Sequence, residues 1–462
     1  MSRTFDPFAL SEFARHYGFH YDRIDAKALV EDVLSEMELG LKGAASSLPM
    51  IPAYISPVSR IIPGKTVIAL DAGGTNLRAA LVKFDKTGKA VTGESLKVPM
   101  PGSNGPLSAD AFFDEIAAVT AALLKKATDK VEGIGFCFSY NMEITNETDG
   151  ILRAFSKEID APEVVDKAVG LGLREALARR GVKAPQRIVL LNDTVATLLS
   201  GLSELPVQGG LYRGEDRYCV EAGPMVGFIL GTGFNTAYPE KCIPKINFNS
   251  PENPLIVVCE SGNFAHRYMG ALDREFDSTT KTPLAYTLEK ACSGAYLGPL
   301  SYHILCRAIR DGLFSFNRKD EFLSWTTLQT KDLNSFLHEP LSQAGLIGEL
   351  FGKDERDAIA SFVYLCSIVT ERAGLLSAAI VAAAIEKALS GYDPFVPVRV
   401  AVEGTTFMIY KGMRSALESH LHVILNKDMP RSYMIAPVEQ ASLFGAAVAA
   451  LAPNSNLPVS TL

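Results

Sequence analysis

Residues 68–84 read IALDAGGTNLRAALVKF. An apolar run from Thr66 to Leu70 enters a polar glycine turn, and a second run rich in apolar residues leaves it at once. This spacing predicts a β-hairpin around a glycine tip. Gly73 and Gly74 let a ligand approach the backbone closely, their N–H groups face outward, and the Thr75 hydroxyl can donate, features that suit a phosphate. A GGT turn taken alone is more often simply a tight turn.

Three further segments repeat the pattern of an apolar strand running into a polar turn: VLLNDTVATL (189–198), FILGTGFNTAY (228–238) and VAVEGTTFM (400–408). Ligand contacts in α/β proteins concentrate at such strand ends. Gly231, Thr232 and Gly233 offer a second phosphate-like turn, so the two halves of the chain carry one hairpin each, placed to clamp a polyphosphate from both sides. Neither GxxxxGKS/T nor GxGxxG occurs, which leaves a P-loop or a dinucleotide fingerprint unsupported. Asp193 follows the buried-strand run RIVLLN, which holds its carboxylate where it can take a proton from an attacking hydroxyl. Asn192 or Asp193 also suits the N-cap of the helix that follows, and Asn192 can cap while Asp193 reacts.

Working outward, strand signals recur at 133–138, 187–191, 226–230, 256–259 and 398–402 with helical stretches between them, an α/β alternation. Residues 13–42 place Ile24, Leu29, Val33, Met37 and Leu41 near one face and predict one long amphipathic helix. Four prolines in 46–63 force an extended crossing. A helix is expected over 110–126, with Ser108 or Asp110 at its start, and a last alanine-rich helix carries Gly445. The charge-free stretch 373–385 is shorter than a membrane span of ~20 residues and reads as a core helix. No repeat or flexible linker divides the 462 residues, so two large lobes joined by chain crossings are expected, although a prior of ~150 residues per domain allows three.

Composition removes other classes. With 45 Lys+Arg against 52 Asp+Glu the net charge is −7, and the basic stripe of a nucleic-acid binder is missing. The seven cysteines (Cys137, Cys219, Cys242, Cys259, Cys292, Cys306 and Cys366) are scattered without a CxxC pair, which points to buried thiols in a reducing compartment. The first residues lack the basic start and apolar run of a signal peptide, so a cytoplasmic protein without a membrane partner is expected. His420 and His422 lack a nearby third ligand and read as surface residues, and His266 reads as structural.

In chain order, these segments resemble the eukaryotic-type hexokinase family from about Gly40 to Ala450. GLKGAASSLPMIPAYI (40–55) resembles its lead-in, 68–84 its first phosphate hairpin, LNDTVATLLSG (191–201) the segment of its catalytic aspartate and 228–238 its second phosphate hairpin. LEKACSGAYLGPL (288–300) resembles a sugar-contacting helix start, and 400–408 the adenosine segment. The resemblance implies an α/β, two-lobed actin-like ATPase (ribonuclease H-like) fold with a cleft between the lobes. The small domain would be 58–191 with the final helix 441–452, and the large domain 1–57 with 192–440. It also implies a monomer or homodimer that uses ATP and Mg²⁺ to phosphorylate the 6-hydroxyl of a hexose, most readily glucose. A non-catalytic sugar or nucleotide sensor on the same fold is the competing reading.

Carried over by the same resemblance, Asp193 is the general base. Asn192, Asn235, Glu260 and Glu289 hold the other sugar hydroxyls, together with Ser139, Ser156 and Lys157. Lys157 also offsets charge on the transferred phosphoryl group. Asp71, Gly73, Gly74, Thr75, Asn76 and Arg78 face the β- and γ-phosphates and the hydrated Mg²⁺, which no side chain ligates directly, though Asp71 reaches it through water. Thr232 binds phosphate from the other lobe, and Gly404 and Thr405 border the adenosine. The chain departs from the family pattern at Tyr140 and Asn141 (FSYN for the usual FSFP), at Ser156, Glu158 and Ile159 (FSKEI for WTKGF), and at Glu403, where an aspartate is common.

Overall fold

In the computed structural model, the strand Thr66–Gly73 pairs antiparallel with Asn76–Phe84, with Asp71 opposite Arg78 and Gly73 opposite Asn76. The structure describes residues 4–57, 63–74, 76–155, 159–204, 225–388, 397–428 and 430–452. Thr75, Ser156 and Lys157 lie outside the described residues. Gly74 takes φ +65°, the left-handed conformation such a short tip requires.

This hairpin is the centre of a five-stranded sheet in the order Ala90–Pro99, Asn76–Phe84, Thr66–Gly73, Val131–Phe138, Arg187–Leu191. The first three strands are antiparallel and the last two run parallel to the first strand of the hairpin. The second sheet repeats the scheme. Leu255–Val258, Phe234–Glu240 and Met225–Leu230 are antiparallel, and Val398–Glu403 and Tyr433–Pro437 add in parallel. Each sheet therefore has chain order 3-2-1-4-5, and each glycine turn is the tip of its sheet's first hairpin. In the second sheet, Ile51–Pro52 adds an edge strand beside Leu255–Val258, which is where the proline-rich crossing lands.

Helices Asp193–Glu204 and Ala441–Leu451 each follow the fifth strand of a sheet, and both lie in a core shared by the two sheets. Their approach is close. A Cβ on Gly445 would sit 1.9 Å from the Ala196 carbonyl oxygen, and one on Gly135 would sit 1.7 Å from that of Ala446. A second core, under helices Ala109–Lys126 and Val169–Arg179, covers the outer face of the first sheet. The largest core surrounds the 33-residue helix Arg356–Ala388. That helix contains residues 373–385 and is long and apolar enough to cross a membrane; burial inside the large lobe, not shortness, marks it as a core helix. Arg372, fully buried within it, is held by a bidentate pair of hydrogen bonds to Asp273 at 2.6 and 2.7 Å.

The single N-terminal helix expected over 13–42 is instead two helices, Pro7–His16 and Ala26–Lys42. Gly18 at φ +78° turns the chain, Phe19 fills the core, and Asp25 caps the second helix by accepting from Ala28 N. The helix over 109–126 begins where expected, with Ser108 accepting from Ala111 N.

Candidate active site

The carboxylate of Asp71 is buried on the first strand of its hairpin and pairs with the Arg78 guanidinium at 2.5 Å across the register. Arg78 is half exposed, and its Nη2 also lies 3.4 Å from Ser442 Oγ. The parallel strand Val131–Phe138 sets Cys137 beside Asp71, and Ser139 follows, its N–H bonded to Ala72 O at 3.0 Å. A Cβ on Gly73 would be 3.7 Å from Ser139 Oγ, so the sugar-loop serine and the phosphate turn are neighbours. The Tyr140 hydroxyl donates to Gly74 O at 3.1 Å and braces the turn.

Asn192 and Asp193 divide their roles. Asn192 Oδ1 accepts the Val195 N–H at 2.9 Å and caps the helix, which leaves Asp193 as its first residue. The Asp193 carboxylate sits where the helix dipole favours an anion, and its Oδ1 accepts from the Thr194 hydroxyl at 3.3 Å.

On the second sheet, Asn235 donates from Nδ2 to Glu260 Oε1 at 2.9 Å, while its Oδ1 accepts from Thr236 N and Ser261 N. Glu260 is held at φ +53°, a left-handed conformation unusual for a glutamate and typical of backbone strain kept at functional positions. Glu289 Oε2 accepts the Phe234 N–H at 3.0 Å. Gly233 and Gly262 make room for that carboxylate, since a Cβ on either would lie 3.2 Å from its Oε2. Burial pushes both glutamates above the ordinary carboxylate range, and the negative charge of Asp193 raises Glu260 further, which puts all three carboxyls in one electrostatic site.

The tip of the second hairpin is built against two other elements. Gly231 O accepts from Gly294 N and from the Thr406 hydroxyl, both at 2.8 Å. Gly404, at φ +127°, lies so close that a Cβ on it would be 2.3 Å from the Leu230 carbonyl carbon. Thr232 and Thr405 are exposed on this rim. The site thus combines carboxyls and an amide able to exchange hydrogen bonds with a polyol and a glycine turn from each sheet.

Models of the hexokinase family match residues 10–202 and 225–452. The chain belongs to the hexokinase family. Curated relatives include hexokinase-2 of Solanum tuberosum, 28% identical over 458 residues, covering 93% of this chain and 88% of the relative. Hexokinase-2 of Candida albicans is 27% identical over 480 residues, covering 97% and 93%. A hexokinase from Schistosoma mansoni complexed with glucose has the same fold, with a TM-score of 0.69 at 22% identity, covering 96% of this chain and 99% of that one. The two sheets are accordingly the two lobes of the actin-like ATPase fold, and this hexokinase is an ATP-dependent sugar kinase.

Of the residues singled out in the sequence, Asp71, Arg78 and Ser139 come together on the first sheet with Asp193 in the same electrostatic field, and Asn235, Glu260 and Glu289 come together on the second. Gly231 and Gly404 pack together, with Thr232 and Thr405 exposed beside them. Sequence reading missed Gly262, Gly294, Thr197 and Thr406. Gly262 stands two residues after Glu260 in the run CESGNF (259–264), where a glycine close to a site glutamate is a usable signal, and Gly294 lies inside the quoted LEKACSGAYLGPL; the threonines carry none.

Proposed function

We propose that this hexokinase transfers the γ-phosphoryl group of ATP to the 6-hydroxyl of glucose, with Asp193 as general base. The observation that carries this reading is the position of Asp193. It opens a helix at a sheet edge, within electrostatic reach of Glu260 on the sugar side and, through Glu403, of the phosphate hairpin that bears Asp71. Asp193 takes the proton of the 6-hydroxyl as O6 attacks the γ-phosphorus, the bond from that phosphorus to the bridging oxygen breaks, and ADP leaves. Asn235, Glu260 and Glu289 orient the ring by accepting from, and for the amide donating to, its other hydroxyls. Glucose is favoured because the Schistosoma mansoni hexokinase of the same fold is complexed with it.

Arg78 leaves Asp71 for the phosphates, and the main-chain N–H groups of the two glycine turns hold them from both sides. Lys157 offsets charge on the moving group. Asp71, Asp193 and Glu403 would offer hard oxygen donors near the phosphates. This suits a Mg²⁺ held mainly by phosphate oxygens and water, which supplies charge neutralisation when bound. Residues 58–191 with 441–452 move as one lobe against 1–57 and 192–440, closing over the sugar to exclude water. The six described cysteines are unpaired and five are buried, in keeping with the cytoplasm.

A panel of hexoses in one ATP-coupled assay, with Mg²⁺ omitted as control, tests this. Glucose should support turnover, and 6-deoxyglucose should compete with it without being phosphorylated. Turnover of 6-deoxyglucose, or ATP consumption indifferent to sugar, would contradict the assignment.

A further inference from the structure

Gly73 stands opposite Asn76 in the ladder, so the first hairpin closes on a two-residue tip that begins with Gly74. Short tips of this kind differ mainly in which way the peptide between their two residues is turned. That peptide lies beyond the last ladder pair, and strand pairing alone does not select its direction. A planar trans peptide carries its N–H opposite its carbonyl. Whatever holds the Gly74 carbonyl therefore decides on which side the tip offers a donor.

Tyr140 holds it. Its hydroxyl lies 3.1 Å from Gly74 O, and because a carbonyl only accepts, the hydroxyl is the donor. The tyrosine reaches the tip from the neighbouring strand. Phe138 is beside Ala72 in the parallel ladder, Ser139 N continues that ladder to Ala72 O at 3.0 Å, and Tyr140 N turns back to Phe138 O at 2.9 Å. The Tyr140 ring is buried, with its centroid 4.8 Å from that of Phe138 and 5.2 Å, edge-on, from that of Phe155. Packing on both sides fixes where the hydroxyl can reach. The phenylalanine usual at this place in the family would fill the same space and supply no donor.

We propose that Tyr140 is a positioning residue for the nucleotide: its hydroxyl fixes the peptide at the tip of the first hairpin in the direction that presents main-chain N–H groups to the β- and γ-phosphates. The ring has a different task. It packs on Phe155, which directly precedes Ser156 and Lys157 in the chain, so the sugar side depends on the ring and the phosphate side on the hydroxyl. The proposal rests on the phosphate assignment of this turn.

Tyr140→Phe tests it, since only the hydroxyl is removed. The KM for ATP and the inhibition constant of AMP-PNP, a non-hydrolysable ATP analogue, rise about 3–10-fold, the loss of roughly one hydrogen bond. The inhibition constant of AMP, which lacks the β- and γ-phosphates, and the glucose Kd from titration calorimetry stay within about twofold of the parent's. A merely structural tyrosine would not divide the ligands in this way. AMP-PNP inhibition unchanged in Tyr140→Phe, or a loss shared equally by AMP and glucose, overturns the proposal. Arg78→Ala, in the same hairpin, separates the two ways to fail. If it weakens AMP-PNP while Tyr140→Phe does not, the inference about Tyr140 falls alone; if neither weakens it, the phosphate assignment of the turn falls as well.

Discussion

Glu289 shows how a site residue acts on two neighbours at once. Its carboxylate accepts from Phe234 N and faces the two glycines that leave space for it, so it holds the second hairpin besides the sugar hydroxyl proposed for it. Glu289→Gln should raise the KM for glucose by roughly 10–100-fold, with a smaller effect on kcat, because a charge-assisted bond in the binding wall is lost; steady-state kinetics read the split. His266 governs acid stability instead. It is buried with both ring nitrogens unpartnered among the described residues, and burial lowers it to about 4 from 6.5. Between those values the unfolded chain binds a proton that the folded protein refuses, so its share of stability is complete above 6.5 and is lost as pH falls toward 4. The loss amounts to ~3 kcal/mol at most, and urea unfolding at several pH values should show His266→Gln flattening it. Asn192 and Asp193 were legible in the sequence because capping is a local act. Glu403 was visible only as a departure from the family's usual aspartate, because its partner Thr197 lies 206 positions away in the chain.

At the scale of elements, two helices share the seam between the sheets, and glycines set how near they come. Gly445→Ala would drive a methyl into the Ala196 carbonyl. Backbone cannot yield as a side chain does, so the change should destabilise by ~1–3 kcal/mol, seen as a lower Tm. The alanine-rich pattern and Gly445 signalled this close packing in advance; the fold identifies the partners as a strand and a second helix. The hairpin at 66–84 and the helix over 109–126 were also readable, since turn chemistry and caps are written locally. The N-terminal helix was drawn too long because the apolar period runs on through the Gly18 turn, and periodicity alone does not see a positive φ. The edge strand Ala90–Pro99 escaped notice because most of it is exposed and shows little apolar alternation.

In the whole molecule, two sheets of the same strand order carry the two glycine turns in equivalent places, so one ligand can be gripped by both halves. The sequence suggested this doubling through its paired turns and missing linker. The pairing of the strands is long-range and emerged only with the fold. The net charge of −7 does not oppose ATP, since the groups proposed to hold it are oriented N–H dipoles and Arg78 rather than bulk charge. If the helices at the seam act as the axis of closure, saturating glucose should shrink the radius of gyration in small-angle scattering. The same titration with Gly445→Ala should show a smaller change. The most direct measurement is made on Asp193→Asn, which keeps the size of the side chain and removes the base. Glucose titration calorimetry and a coupled ATP-consumption assay on that one variant should give a glucose Kd close to the parent's and a kcat lower by roughly 10²–10⁴-fold. A kcat equal to the parent's, with glucose still bound, would contradict the assignment of Asp193 as the base.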